Sequence, residues 1–219
     1  MSTIEPTART AVRRHRDRAH YERDTVNAIL DEGFICHVAC VVDATVWAIP
    51  TTYGRDGDRL HIHGAAANHV LKAAAAGAEL TVTVTLVDGM VLARSTFRHS
   101  MNYRSVTIFG IATDITDPAE KEAALACIVD HMLPGRSSEA RPPNRLELAK
   151  TRVVRLVIDE ASAKVRTGGP ADEEEDLDLP VWAGVLPLRL AAGRPEPDQD
   201  HPPVVGVPPV LSQPHRWGA

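Results

Sequence analysis

The sequence predicts a mainly β fold with short helices, built on an antiparallel sheet that closes into a barrel. About seven segments are rich in β-branched residues or alternate apolar with polar side chains. Most connections between these segments are as short as hairpin turns, whereas parallel strands require long crossovers. The helical patterns that separate the strands are short as well. These observations favour a barrel over a parallel, doubly wound fold.

The first predicted elements are a helix and a β-hairpin. Val26, Ile29 and Leu30 recur at helical spacing, and Gly33 follows at the place where a C′ glycine ends a helix. The segments ICHVACVV and TVWAIPTTY are both β-rich, and only the dipeptide Asp-Ala separates them. This arrangement predicts two strands joined by a tight turn.

The middle of the chain continues the strand pattern. In RLHIH, the alternation of a strand places His61 and His63 on the same face. A short helix is predicted over residues 68–76. The segment LTVTVTLV then alternates strictly, and Asp88-Gly89 predicts a two-residue hairpin turn into MVLARSTF.

The last elements follow the polar stretch FRHSMNYRSV. SVTIFGIATDI predicts another strand. A helix is predicted over residues 118–132, because Asp117 suits an N-cap, proline suits the first helical position and Glu120 lies three residues past the cap. TRVVRLVID predicts the last strand, and the segment AKVR follows it.

The 219 residues are 44% hydrophobic, which is enough for a core. We predict a basic N-terminal arm at 1–21, a barrel domain at 22–194 and a Pro-rich, disordered tail at 195–219. The net charge of −5 argues against nucleic acid as the main partner. The basic stretch at 9–23 is either a nucleic-acid or membrane-surface arm, or a solvated helix or frayed arm. We favour the second interpretation because no aromatic residues are interleaved.

The sequence favours a cytoplasmic protein that does not enter the membrane. No apolar run approaches the roughly 20 residues that cross a bilayer. The N-terminus lacks the apolar core of a secretion signal. Cys36, Cys40 and Cys127 form no CxxC pair, which is typical of reduced, buried thiols.

Two kinds of catalytic or metal site receive only weak support. His61 and His63 form an HxH pair on one strand face, as in some metal-binding barrels, but no carboxylate or histidine lies at a spacing that completes the set. The third ligand would be His37, His69 or His99. Ser100 stands beside His99, but adjacent residues of an extended chain point to opposite faces, so they cannot form a catalytic dyad.

The segment HGAAANHVLK, residues 63–72, is a candidate anion site. A strand ends there and a helix begins, and the free N–H groups of a helix's first turn suit a phosphate. Gly64 and the alanines allow the backbone to approach a ligand, while His69 or Lys72 adds charge. The alternative is an ordinary strand-to-helix turn.

Four segments together resemble a known family. They are AIPTTYGRDGDRLHIHGAA, the small helix after it, HSMNYRSVTIFGIATDITDPAEKEAAL and SAKVRTGGPADEEEDLDLPVWAGVLPL. The chain resembles the FMN-binding split-barrel family related to pyridoxamine 5′-phosphate oxidase, and most of all its nitroimidazole-resistance reductase and flavin-nucleotide-binding branch. The resemblance implies an antiparallel split β-barrel of six or seven strands, and a homodimer with FMN at the subunit interface.

The resemblance also implies site residues. The flavin ring would lie along Ile49 to Tyr53, the phosphate along residues 63–72, and the polar corner beside the flavin or at the dimer interface. Trp182 follows an acidic run in a stretch too apolar for a tail, so its indole is expected at the flavin or the dimer seam, or else in the core. His99 and Tyr103 are the expected proton donors. The expected cofactor-binding residues are Pro50, Thr51, Thr52, Tyr53, His63, Gly64, Ala65, Asn68, His69, Lys72, Asn102, Arg104 and Trp182.

The chain departs from the family pattern in three places. Ala65 or Asn68 stands where many members have serine, and His69 stands where many have arginine, which removes a permanent cation from the phosphate site. ADEEED replaces the basic substrate motif of the true oxidases and would repel a phosphorylated vitamin. That activity is therefore not assigned.

We expect an FMN-dependent oxidoreductase that reduces a small organic substrate with electrons from a nicotinamide-type donor. One alternative is a module that binds flavin or haem without turnover, with His61, His63 or His99 as haem ligands. Another is a metal-dependent barrel enzyme.

Overall fold

The computed structural model describes residues 2–208 and residue 211. Within them lie ten strands, five α-helices and three 3-10 turns at Arg16–Arg18, Thr96–Arg98 and Glu174–Asp176. The strands are β1 (Ala19–His20), β2 (Ile35–Val42), β3 (Thr45–Asp56), β4 (Arg59–Ala65), β5 (Glu79–Leu92), β6 (Ser100–Ile111), β7 (Thr113–Asp114), β8 (Thr151–Val157), β9 (Glu160–Arg166) and β10 (Gly184–Pro187). The helices are α1 (Arg23–Glu32), α2 (His69–Ala75), α3 (Pro118–Met132), α4 (Arg136–Glu139) and α5 (Arg145–Lys150).

The chain divides into two compact units. The first holds Met1–Leu86 and Tyr103–Arg166, and the second holds Val87–Asn102 and Thr167–Ala219. The second unit is thus built from one internal segment and the C-terminal part of the chain.

The first unit contains a sheet in the order β1-β9-β6-β5-β2-β3-β4-β8-β7. Its pairings β2–β3, β2–β5, β3–β4, β4–β8 and β6–β9 are all antiparallel, which confirms the predicted mainly β fold. The β2–β3 hairpin turns at Asp43 and Ala44, whose φ angles of 49° and 60° give the left-handed turn that matches strand twist. More strands are present than the six or seven predicted, because β1, β7 and β10 are only two to four residues long.

The core of the first unit contains side chains of the sheet, of α1 and of α2. Val26, Ile29 and Leu30 are buried on α1, as their helical spacing predicts. Gly33 caps α1 but has an extended φ of −74°, not the left-handed conformation of a C′ glycine. A Cβ there would lie 2.5 Å from Val84 Cγ1, so close packing explains this glycine better than backbone conformation does.

The local predictions for two helices are confirmed. α3 spans the predicted residues, and the Asp117 side chain accepts a hydrogen bond of 2.9 Å from the Glu120 N–H. α2 lies within the predicted short helix. α5 was not predicted from the sequence, although Asn144 and Glu147 form the reciprocal capping box that marks such a helix.

Two strand predictions were wrong. Asp88-Gly89 is not a hairpin turn, because β5 continues through it and Gly89 pairs with Pro187 of β10. TRVVRLVID is not the last strand, because β9, whose second half is the AKVR segment, follows it and pairs with β6. In both cases the pairing strand lies far away in the sequence, so no local pattern reveals it.

The basic N-terminal stretch is neither a solvated helix nor a frayed arm. Ile4 packs in the core at 2% exposure. Arg9 forms ion pairs with both Glu79 and Glu160, and its guanidinium lies 5.0 Å from the Phe109 ring centroid. These contacts fasten the segment to the sheet.

The second unit contains a ribbon in which β10 pairs with the end of β5. Arg94 donates to Asp172 at 2.8 Å, and Asn102 Nδ2 donates to the Gly168 carbonyl at 3.1 Å. Residues 195–208, within the predicted disordered tail, contain neither helix nor strand. Residues 209, 210 and 212–219 of that tail lie outside the described residues. No helix in the described part of the chain is long and apolar enough to cross a membrane.

Candidate functional site

The predicted phosphate segment forms a compact turn between β4 and α2. Asn68 caps α2, and its side-chain oxygen accepts a hydrogen bond of 3.1 Å from the Leu71 N–H. Its own N–H donates to the Ala65 carbonyl at 2.9 Å. A Cβ on Gly64 would meet Leu71 Cδ1 at 2.8 Å, so a larger residue there would require the Leu71 side chain to shift. These contacts explain the turn without a ligand, and phosphate binding there stays a prediction.

An exposed aromatic pair stands beside this turn. The rings of Trp47 and His69 are stacked, with centroids 6.3 Å apart and an interplanar angle of 13°. Trp47 is 44% exposed, and Lys72 on the next turn of α2 is also exposed. His69 and Lys72 were predicted from the sequence, but Trp47 was not, because its position near the tip of the β2–β3 hairpin carries no local signal for this contact.

Along the predicted flavin-facing segment of β3, the side chains become more buried from Pro50 to Tyr53. Pro50 is exposed, whereas Thr51 and Thr52 are half-buried. The Thr51 hydroxyl donates to the Thr52 carbonyl at 3.3 Å. Tyr53 is fully buried, and its hydroxyl donates to the Leu30 carbonyl at 2.6 Å. The Tyr53 side chain is therefore part of the core, and only the residues before it reach the surface.

His61 and His63 share one face of β4, as predicted, and their burial favours the neutral imidazole. His61 is 6% exposed, and its Nδ1 and that of His63 are buried without a hydrogen-bond partner. Burial lowers the pKa of both imidazoles, with Asp56 opposing and Arg155 reinforcing the effect at His61. Among the described residues, no three histidine, cysteine or acidic side chains are grouped to hold a metal ion.

The polar stretch FRHSMNYRSV is divided between the two units. In the first unit, Tyr103 is half-buried and pairs with Arg166 across β6 and β9. Arg104 forms a bidentate ion pair with Glu32 at the end of α1, with Nη2 donating to Oε1 at 2.8 Å. This pair fastens α1 to the sheet, which gives Arg104 a structural explanation.

The second unit holds His99, Asn102 and Trp182. His99 is exposed, and its Nδ1 lies 2.9 Å from the Ser95 carbonyl. A carbonyl only accepts, so Nδ1 donates the proton in this hydrogen bond. Asn102 is buried and bonded to Gly168. Trp182 is 67% exposed, which excludes a core position, while its contact with a flavin or a partner stays a prediction.

The chain is similar to known proteins over most of its length. The family described as pyridoxamine 5′-phosphate oxidase matches residues 22–165. No curated protein matches the chain. The flavocytochrome Anf3 from Azotobacter vinelandii is 41% identical, with a TM-score of 0.88 and coverage of 94% of this chain and 96% of that one.

Two further solved structures extend the comparison. The FAD and heme binding protein from Mycobacterium smegmatis is 38% identical, with a TM-score of 0.84 and coverage of 89% and 96% of the two chains. A protein described as giving 5-nitroimidazole antibiotic resistance, from Bacteroides thetaiotaomicron, is 19% identical, with a TM-score of 0.57 and coverage of 67% and 86%. That last similarity concerns the fold alone.

Proposed function

Because the chain belongs to the pyridoxamine 5′-phosphate oxidase family of split-barrel proteins, we propose that it binds a flavin together with a haem and transfers electrons between them. The observation that carries the proposal is the similarity, at 41% and 38% identity over nearly the whole chain, to a flavocytochrome and to an FAD- and haem-binding protein. A bound flavin would supply two-electron chemistry and a bound haem one-electron chemistry.

The proposed flavin is FAD, where the sequence alone favours FMN. Support comes from the FAD named for the Mycobacterium smegmatis protein. In this chain, half-buried Thr51 and Thr52 offer hydroxyl and backbone groups, and the stacked Trp47–His69 pair offers a flat surface. Exposed Lys72 adds a cation for a phosphate.

We propose His99 as the haem ligand. Histidines that bind iron usually donate their second ring nitrogen to a carbonyl, which fixes the ring and its tautomer. His99 meets this requirement through the Ser95 carbonyl, and the residue is exposed. By contrast, Nδ1 of both His61 and His63 lies buried without a partner, and α3 packs against the strand that carries them. His69 is the second choice, because it is exposed but stacked on Trp47.

The oxidoreductase role extends this proposal. A nicotinamide-type donor would reduce the flavin, and a small molecule or the haem would accept the electrons. The proton donors foreseen from sequence were His99 and Tyr103. If His99 ligates iron, Tyr103 remains the candidate, since it is half-buried on β6.

We also propose a cytoplasmic homodimer. Val41 and Val46 flank the β2–β3 turn and are 60% and 75% exposed, an apolar surface that a partner would cover. Cys36, Cys40 and Cys127 are free thiols, which suits a reducing compartment.

The test is the absorption spectrum of the full chain, purified and then reconstituted with haem and with FAD or FMN. We expect flavin bands and a Soret band at one cofactor of each kind per chain. His99→Ala should abolish the Soret band and keep the flavin bands, while His69→Ala serves as the matched histidine control. A wild-type protein that takes up neither cofactor would overturn the proposal. Loss of the Soret band in His69→Ala alone would move the ligand to His69.

A further inference from the structure

The second unit leaves an unusual amount of apolar surface uncovered. Val91 and Ala93 are its buried hydrophobic residues among those described. Large side chains of the same unit that are between 44% and 86% exposed include Phe97, Leu179, Val181, Trp182, Leu186 and Leu190. A two-stranded ribbon with so little core is marginal by itself in water. This apolar surface is therefore a candidate binding surface for a partner.

An acidic run borders the apolar surface. Glu173, Glu174 and Glu175 line an open depression of about 500 Å³. Arg98 pairs with Glu173, but no ion pair found among the described residues involves Glu174, Glu175 or Asp178. A partner that is complementary to this surface therefore needs both positive charge and apolar side chains.

The same chain carries an unneutralised basic stretch. Arg13, Arg14 and Arg16 are exposed, and within the part of the chain that the structure describes they enter no ion pair. The stretch is held in place, because the Tyr21 hydroxyl donates to the Thr10 carbonyl at 3.2 Å and accepts from the Val12 N–H at 3.0 Å. It presents three neighbouring cations on a segment whose start is hydrogen-bonded to Tyr21.

We propose that the second unit of one chain docks on a second copy, with its acidic run against the partner copy's stretch Arg13–Arg16. This inference rests on the homodimer proposed above and adds a second contact to the one proposed at Val41 and Val46. The charges are complementary, because each copy carries both the arginines and the glutamates. A two-fold symmetric dimer would therefore form the same pairing of opposite charges at each of its two contacts. Docking would also bury the neighbouring side chains of Leu179, Val181 and Trp182. Their burial would stabilise the dimer, whereas exposed ion pairs alone contribute little.

A charge-swap experiment tests this inference in solution. One variant carries Glu174→Lys and Glu175→Lys, and the other carries Arg13→Glu and Arg14→Glu. In either variant alone, like charges meet at both contacts, so we expect the dissociation constant of the dimer to rise at least tenfold in sedimentation experiments. In an equimolar mixture, each contact regains opposite charges, and wild-type dimerisation should return as a heterodimer.

The outcomes separate the inference from the proposal on which it rests. The exposed pair Glu196→Lys and Asp198→Lys is the matched control and should dimerise like the wild type. If the wild type is a monomer, the homodimer itself fails. If both swap variants stay dimeric, or if the mixture does not recover, the dimer uses other surfaces and the inference is overturned.

Discussion

The hydroxyl of Tyr53 donates a hydrogen bond of 2.6 Å to the backbone carbonyl of Leu30, which joins β3 to the last turn of α1. The His131 ring packs 4.7 Å from the Tyr53 ring, and its Nε2 donates to the Gly33 carbonyl at 2.8 Å. Tyr53 is thus held at a junction of α1, α3 and the sheet. A side chain so placed contributes to stability rather than to ligand contact.

Replacing Tyr53 with phenylalanine tests this conclusion. The change leaves the buried Leu30 carbonyl without its donor, so the free energy of unfolding should fall by about 1–3 kcal/mol in urea titrations. Flavin affinity should not change. A variant with wild-type stability but weaker flavin binding would instead place the hydroxyl at the cofactor.

Gly54 permits the close approach of α3 to β3. A Cβ at this position would stand 2.8 Å from the Cα and backbone nitrogen of Ile128, which cannot rotate away. We expect Gly54→Ala to lower the free energy of unfolding by about 1–3 kcal/mol through overpacking, as measured by chemical denaturation. Gly169→Ala is the control, since no atom lies within 4 Å of its Cβ. Equal effects of the two changes would contradict the packing argument.

The buried histidines predict a pH-dependent stability. Burial lowers the pKa of His61 and His63 in the folded protein, so below about pH 6.5 the unfolded chain binds more protons. Stability should therefore be complete above that pH and should fall as the pH drops from 6.5 towards 5. Arg155 and Arg59 strengthen the effect at His61, and Asp56 and Glu120 weaken it.

Urea unfolding at pH 8, 6.5 and 5 measures this slope. His63→Gln keeps a polar side chain but removes one titrating group, so its slope should be shallower than that of the wild type. Identical slopes would show that His63 does not contribute. His20→Gln, at a partly exposed position, serves as the control.

The identity of residue 69 should affect phosphate-bearing flavins selectively. His69→Arg introduces a permanent cation on α2 beside Trp47, and it should tighten FMN or FAD binding about tenfold, within the range of a charge-assisted hydrogen bond. Fluorescence titration measures the change. Riboflavin, which lacks the phosphate, should bind both variants equally. A similar gain with riboflavin would show that the arginine acts by stacking, not through the phosphate.

The elements that sequence predicted well are those with local causes. The start of α3 follows from Asp117, Pro118 and Glu120, which all lie within one turn of the chain. The hairpin at Asp43-Ala44 is likewise a property of adjacent residues. The Asp88-Gly89 turn failed because Gly89 pairs with Pro187, a partner that no nearby residue indicates.

The candidate site was less predictable for the same physical reason. Thr51 and Tyr53 lie on one face of β3, so alternation treats them alike, yet only Tyr53 reaches a carbonyl of α1. Arg104 was expected beside a ligand, but its charge is met by Glu32 from a distant helix. Sequence supplies the polar groups, and tertiary packing decides which of them stay available.

The pairing of β5 with β10 has a consequence for how the protein is made. The end of β5 is synthesised early, while Gly184–Pro187 leave the ribosome only after the whole first unit. Until then the far half of β5 presents an open edge, which is the kind of template on which nascent chains associate. Slow translation or a premature stop before residue 184 should therefore yield inclusion bodies rather than a shortened folded protein.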